Sequence, residues 1–321
     1  MAVKQRDEQS VAGERQALGT LEQPKTLAQR LTSPKTLLPK RRINLAVFRS
    51  FKIRFGLGVL GFFVLLAIFG PLLVQQDPQA FGPDVLAPPS AAHWLGTTQT
   101  GQDVFAQVIV GTRITLLVGF AVGTAATLLS VIIGLTAGYF GGMIDEVISL
   151  LINIFLVIPA LPLTIVLAGY IPVRGPLPVA IVISATGWAW GARVLRAQTL
   201  SLRQREFVQA ARASGERTFR IIFAEILPNE LAIVASSLIF TIIYAIFSEI
   251  GLEFLGLSDV TVTSWGNMLF WATNNQALLL GAWWWIVPPG LCIALLGAGL
   301  AFINFSIDEL TNPRLRDASR S

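Results

Sequence analysis

The chain is poor in charge. Only 13% of its 321 residues are Asp, Glu, Lys or Arg, whereas 53% are hydrophobic. Soluble domains carry about twice that share of charge because their surface must be wetted. The apolar residues also gather in long uncharged runs, which indicates a protein that folds in lipid.

Three residue types that often carry chemistry are scarce. All five lysines lie at or before Lys52, and the phosphate-binding loop of ATPases requires a lysine, so nothing after residue 54 can be such a loop. The single histidine, His93, and the single cysteine, Cys292, cannot form a His/Cys metal site or an intramolecular disulfide. We interpret His93 as a structural or surface residue. We expect the chain to bind no cofactor and to catalyse no reaction, since its apolar runs contain no polar cluster.

Six apolar runs are long enough to cross a membrane. A helix rises about 1.5 Å per residue, so about 20 residues span the hydrocarbon core. The fourth run is the weakest, with 18 residues and two prolines. A charged leader of 54 residues precedes the first run, which is typical of a retained span and not of a cleaved signal peptide. The sequence predicts an all-α protein with six transmembrane helices, at residues 55–74, 114–138, 147–170, 175–192, 231–248 and 282–305.

The positive charges test the number of spans. Twelve lysines and arginines precede residue 55, seven lie between residues 193 and 220, and three follow residue 313. Six spans place these 22 of the 24 cations on one side, as the positive-inside rule requires. Five spans would leave the arginine-rich loop or the C-terminal tail outside. Both termini are therefore predicted to be cytoplasmic, and the net charge of +5 indicates topology, not binding to nucleic acid.

The spans divide the chain into four segments. Residues 41–54 form either a short interfacial helix or a basic flank that only fixes orientation. The predicted segments are a disordered basic cytoplasmic tail (1–54), a first span with an extracytoplasmic loop (55–112), a core that contains a cytoplasmic loop at 200–228 (113–305), and a cytoplasmic tail (306–321). Close helix packing is predicted at glycines spaced four residues apart, namely Gly119, Gly123, Gly134, Gly138 and Gly142.

Ionisable residues are rare at membrane depth. Residues 260–307 contain no Asp, Glu, Lys or Arg. Ion-coupled transporters keep such residues to bind the coupling ion, and the candidates here are Glu249 and Glu253, one helical turn apart. We interpret both as caps or loop contacts at the outer end of the fifth span. An ATP-independent secondary transporter or channel is one function that a chain with these spans could have, and the lack of charge at membrane depth argues against coupling to an ion.

The cytoplasmic loop is the most informative segment. Residues 203–214 have a helix-forming composition, with the small residues Ala210 and Ala211 in the middle, and Gly215 is placed to end that helix. A second amphipathic stretch covers residues 218–227, and the next span follows. The first helix either docks its small face in a cleft of a partner protein or rests on anionic lipid.

This loop resembles the Glu-Ala-Ala loop of ABC-importer permeases. That pattern continues with three residues, a glycine and a downstream Ile/Leu-Pro; here Gln209 stands in place of the Glu, and the other positions match. In that family the loop is the coupling helix that docks on a cytoplasmic ATPase. The resemblance therefore implies that ATPase coupling is carried by Glu206, Gln209, Ala210, Ala211, Gly215, Ile226, Leu227 and Pro228.

Further motifs, spread over residues 55–316, resemble the C-type permease of dipeptide, oligopeptide and nickel importers. They include Leu95-Gly96-Thr97, Gly101-Gln102-Asp103, in which Gln102 replaces the usual Arg, and Ser264-Trp265-Gly266. The resemblance implies an inner-membrane ABC type-1 bundle with residues 113–305 as its core. It also implies four kinds of partner: membrane lipid, a second permease, an extracytoplasmic binding protein, and two ATPases that bind ATP and Mg²⁺. Peptides are the expected cargo, with nickel chelates, glutathione and oligosaccharides as alternatives.

The charge distribution predicts which loops face outward. Single cysteines placed within residues 75–110 and 255–275 should react with a membrane-impermeant maleimide in intact cells. Cysteines within residues 200–225 should react only after the membrane is permeabilised. Labelling of position 205 in intact cells would contradict this topology.

Overall fold

The computed structural model describes residues 50–74 and 76–311. Within these ranges all the regular secondary structure is helical, and no strand is present. The one β-type contact in the described residues is an isolated bridge between Thr97 and Asp103. The predicted all-α fold is therefore confirmed. The N-terminal tail, with the proposed interfacial helix up to residue 49, and residues 312–321 lie outside the described part of the chain.

Short connections join most of the helices, but a long loop, residues 74–103, separates the first two. A short 3-10 turn, Trp283–Trp285, precedes the last of them, and Trp188 is a local break within the fifth. In chain order the helices are α1 Phe51–Leu73, α2 Val104–Phe140, α3 Gly142–Val157, α4 Ala160–Tyr170, α5 Pro176–Leu202, α6 Glu206–Ala213, α7 Thr218–Phe254, α8 Trp265–Asn274 and α9 Val287–Thr311.

Five helices are long and apolar enough to cross a membrane, namely α1, α2, α5, α7 and α9 with its preceding turn. The pair α3 and α4 also qualifies but bends by 91° at its junction. Ile158 is extended there because the following residue, Pro159, disfavours the helical conformation. The described residues therefore hold six spans if the pair counts as one, and the predicted third span is a broken one.

Several spans are longer than their apolar runs, as α2, α5 and α9 show. α2 begins at Val104, where the Oδ1 of Asp103 accepts a hydrogen bond from the Ala106 N–H at 2.8 Å. The predicted segment boundary after residue 112 thus falls inside a helix, and the outer loop ends at residue 103. α5 continues past residue 192, and α9 continues past residue 305 into the predicted tail. An apolar run in the sequence ends at the first charged residue. The helix itself can continue beyond that residue where its charged side chains find partners.

The start of α7 differs from the prediction in one respect. Residues Ile221–Ile226 form a turn of π-helix, in which the Leu227 N–H donates to the Ile222 carbonyl. Such a wide turn accommodates the missing N–H and the bulky ring of Pro228. Pro228 therefore lies inside a continuous helix and does not begin the span. The amphipathic stretch predicted as a separate element belongs to α7.

α2 lies in close contact with its neighbours. Small residues allow this approach, namely Gly119, Gly123, Gly134 and Gly138. The first two face Ile246 and Ile242 of α7. A Cβ added at Gly134 would lie 2.8 Å from the carbonyl oxygen of Ala192 on α5. The predicted packing is confirmed at these four positions but not at Gly142, where an added Cβ would meet nothing within 4 Å.

The loop before α2 is fixed by polar contacts. His93 Nδ1 lies 2.8 Å from the Oδ2 of Asp103, the same residue that caps α2. Trp284 donates from Nε1 to the carbonyl of Thr97 at 3.1 Å. The predicted structural role of His93 is therefore confirmed, and the loop is joined to the turn before α9.

Glu249 and Glu253 are both buried in α7, each with 1% of its surface exposed. Glu253 lies against Ser264 and Gly266 of the following segment, so the predicted loop contact is confirmed for this residue. Within the described ranges, neither carboxylate oxygen of Glu249 has a hydrogen-bond partner. The interpretation of Glu249 as a cap or loop contact is wrong, because the helix continues past this residue and its side chain is buried.

The contact between α2 and α5 predicts how two glycine substitutions differ. Gly134→Ala should destabilise the protein by about 1–3 kcal/mol, because the new methyl group meets backbone that cannot move aside. Gly61→Ala in α1 is the matched control, since an added Cβ there meets nothing within 4 Å. Thermal unfolding of the purified chain in detergent measures both. Equal midpoints for the two variants would show that the helices do not touch at Gly134.

Candidate functional site

The short helix α6 has one buried face and one exposed face. Val208 is fully buried, with 0% of its surface exposed. The inward residues are Phe207, Val208 and Ala211, and the outward residues include Glu206, Gln209 and Ala210. Residues 207, 208 and 211 lie on one side of the helix, as an amphipathic helix on a protein surface requires.

The buried face of α6 packs on the ends of three long helices. Val208 belongs to a cluster with Leu135 and Tyr139 of α2, Leu195 of α5 and isoleucines of α7, among them Ile226. Burial of one such aliphatic side chain stabilises the contact by about 1.5–3 kcal/mol. α6 is therefore part of the bundle's packing.

Gly215 ends α6 by a local hydrogen-bond pattern. Its φ of +75° lies in the left-handed region, which glycine adopts without strain. The Gly215 N–H donates to the Arg212 carbonyl at 3.0 Å, and the Glu216 N–H donates to the Ala211 carbonyl at 3.1 Å. These two bonds form a Schellman cap. The predicted helix end is therefore confirmed.

Arginines around α6 are tied to the bundle. Arg196 of α5 forms an ion pair with Asp145 of α3, with Nη2 2.8 Å from Oδ2. Arg203 donates to the Tyr139 carbonyl at 3.4 Å. The guanidinium carbon of Arg212 lies 4.7 Å from the centre of the Tyr139 ring, a cation–π distance. The contacts of Arg203 and Arg212 fix α6 and the connection before it to α2, whereas the Arg196 pair joins α5 to α3.

A buried polar pair joins α5 to α7 beneath this surface. Glu230 of α7 is fully buried and accepts a hydrogen bond from the Thr199 hydroxyl of α5 at 2.8 Å. The partners are 31 residues apart in sequence. Hydropathy placed Glu230 in a polar flank, and no pattern in the sequence indicated its partner.

The structure divides the predicted coupling residues into two groups. Ala210 points outward and Ala211 inward, because neighbouring residues on a helix are about 100° apart. The expectation that these two alanines form one docking surface is therefore wrong. The exposed group is Glu206, Gln209, Ala210, Gly215 and Pro228, whereas Ala211 and Leu227 are half-buried and Ile226 is buried.

Comparison with known proteins gives a consistent picture. The family model for the binding-protein-dependent transport system inner membrane component matches residues 130–317. The dipeptide transport system permease protein DppC of Alkalihalophilus pseudofirmus is 35% identical over 81% of this chain and 85% of its own length. The oligopeptide transport system permease protein OppC of Bacillus subtilis is 32% identical over 84% of this chain and 88% of its own length.

Among solved structures, a chain of the MetNI methionine ABC transporter in an inward-facing conformation aligns with a TM-score of 0.44 and 16% identity. The alignment covers 59% of this chain and 96% of that one. A likeness this remote carries no argument about function or conformational state.

The family match covers more than half of the chain and includes α6 and the helices beneath it. The relatives are named as permease proteins and not as enzymes, and they align along most of their own length. This chain therefore belongs to the binding-protein-dependent transport system inner membrane component family and is a multi-pass ABC-transporter permease of the inner membrane.

Proposed function

We propose that this permease imports peptides by ATP-driven transport and couples to a cytoplasmic ATPase through the outward face of α6. The observation that carries the coupling is the division of α6 into a face held by the bundle and a face left exposed. The relatives named for dipeptides and oligopeptides favour peptides over nickel chelates, glutathione or oligosaccharides.

The outward face of α6 suits a protein partner better than lipid. A helix that rests on a membrane directs apolar side chains into it. α6 instead directs its apolar Phe207 and Val208 toward the bundle and presents Glu206, Gln209 and Ala210 outward. Ala210 contributes only a methyl group to this face, so a partner can approach closely there.

Coupling requires that a displacement of α6 reaches the spans. The cluster around Val208 connects α6 to α2, α5 and α7 at once, so docking moves three long helices together. ATP binding can shift the equilibrium between two conformations of the permease only if the ATP-bound ATPases dock on one conformation with higher affinity than on the other. The exposed Arg205 and Arg217 lie on either side of α6 and are suited to orient an acidic surface of the partner.

The complete transporter would contain further subunits. This chain would supply half of the translocation path, and a second, homologous permease would supply the other half. Two ATPases would bind ATP and Mg²⁺, and an extracytoplasmic binding protein would deliver the cargo.

The proposal predicts the effect of a charge at Ala210. Ala210→Asp adds volume and a carboxylate that must lose its water at the contact. A loss of ~3 kcal/mol would weaken docking about a hundredfold. Co-purification of the ATPases with the variant, together with peptide uptake by cells, measures this effect.

Ala91→Asp is the matched control for ATPase co-purification, because Ala91 is an exposed alanine in the loop before α2. It should leave ATPase binding unchanged. Membrane insertion of both variants is checked in parallel. Full ATPase binding and uptake by a correctly inserted Ala210→Asp variant would refute coupling through this face.

The absence of lysine after Lys52 predicts that the chain alone does not hydrolyse ATP. The purified chain in detergent should show only background phosphate release. Co-expression with its ATPases should give hydrolysis that copurifies with the complex. Turnover by the chain without any other subunit would contradict the division of labour proposed for this transporter.

A further inference from the structure

A cavity of about 730 Å³ lies between the loop before α2, residues 260–264 and α8, on the side predicted to be extracytoplasmic. Its size is within the range of small-molecule binding sites. Side-chain amides dominate its polar walls, and Trp271 and Trp285 contribute aromatic surface. We call it the amide cavity after its glutamines and asparagines: Gln79, Gln99, Gln102, Gln107, Asn267 and Asn275.

None of the described side chains that line the amide cavity carries a charge. The nearby Asp259 is not among them, and its Oδ1 accepts from the N–H and the hydroxyl of Thr261 at 3.0 and 2.6 Å. These bonds lower the pKa of the Asp259 carboxyl. The cavity therefore offers hydrogen bonds and aromatic surface, but no lining side chain carries the opposite charge to an ammonium or a carboxylate.

The walls of the amide cavity are held in place by their own hydrogen bonds. Gln79 donates from Nε2 to the Thr261 carbonyl at 2.9 Å. Gln107 donates to the Oε1 of Gln102 at 3.0 Å. Trp271 donates from Nε1 to the Val260 carbonyl at 2.9 Å. The loop before α2 and the loop before α8 are thus joined across the cavity without a ligand.

Two buried polar atoms in these walls have no partner among the described residues, the Oδ1 of Asn267 and the Nε1 of Trp285. The two side chains are 2% and 3% exposed. The Asn267 nitrogen donates to the carbonyls of Asp259 and Val262, both at 2.8 Å. The amide therefore cannot be turned round, and its oxygen remains an acceptor. A buried acceptor and a buried donor without partners cost free energy, and a ligand with both functions would recover it once a small movement of the two side chains exposed these atoms to the cavity.

A peptide group supplies one N–H donor and one C=O acceptor on a flat, uncharged unit. We propose that the amide cavity binds the uncharged backbone in the interior of an oligopeptide cargo, an inference that rests on the proposed transport of peptides. The chain termini of the cargo must stay outside the cavity, because burial of an unpaired charge is costly. In a dipeptide both charges flank the only peptide bond, so the cavity selects longer peptides.

The test measures binding of two probes to the full-length chain in lipid nanodiscs. N-acetyl-tetraalanine amide has peptide groups and no charge, and dialanine with free ends has one peptide group between two charges. Equilibrium dialysis with radiolabelled probes should show saturable binding of the capped peptide, at least tenfold tighter than that of dialanine. Equal affinities, or no binding of the capped peptide, would overturn the proposal.

A substitution locates the binding. Trp285→Phe removes the unpaired Nε1–H together with one ring of the buried indole, so it should also lower the unfolding temperature. At a temperature where the variant remains folded, it should weaken binding of the capped peptide about two- to tenfold, the worth of one hydrogen bond. Trp94→Phe is the control, since Trp94 is exposed and does not line the cavity. Unchanged affinity in Trp285→Phe would place the bound peptide elsewhere.

The outcomes separate this inference from the proposed function. If cells with the complete transporter take up peptides but the capped probe does not bind this chain, the cavity proposal fails and peptide transport stands. If cells take up no peptide of any length, peptide transport itself fails. A photo-crosslinker at position 81 that captures the extracytoplasmic binding protein, undiminished by the capped probe, would assign the cavity to that protein and overturn the cargo proposal.

Discussion

The close contact of α2 with α5 is the interaction on which the rest of this structure depends. Gly134 allows the two backbones to approach, and it stands one residue before Leu135, which lies under α6. Gly138 stands in the same relation to Tyr139. The residues that bring the long helices together thus also position the side chains on which the exposed helix rests. Packing of small residues drives helix association in lipid. Here the same packing also determines the position of α6 and of its exposed face.

Much of this architecture could be predicted from the sequence because it depends on local composition. Apolar runs located the spans, and Gly215 marked the end of α6. Each of these signals depends on a few neighbouring residues. The 91° bend at Pro159 was not predicted, because proline can kink a span, end it or be accommodated, as the π-turn before Pro228 shows.

The other features that escaped prediction depend on contacts between distant parts of the chain. The bond between Thr199 and Glu230 joins two helices, and the amide cavity joins two loops whose glutamines and threonines look like ordinary polar linkers. The inward orientation of Ala211 depends on the packing of α6 against the bundle, which the sequence of α6 alone does not show. The division of the coupling residues into anchors and exposed side chains is therefore a property of the fold and not of the motif.

The π-turn Ile221–Ile226 constrains how this chain can change in evolution. A π-turn holds one more residue than the α-helical turn it replaces. Loss of one residue would restore a regular helix but rotate everything before it by about 100° relative to the span. Val208 would then leave its place over α2 and α5. The π-turn therefore constrains the length of the stretch between Gly215 and Pro228 more strongly than the identity of its exposed side chains.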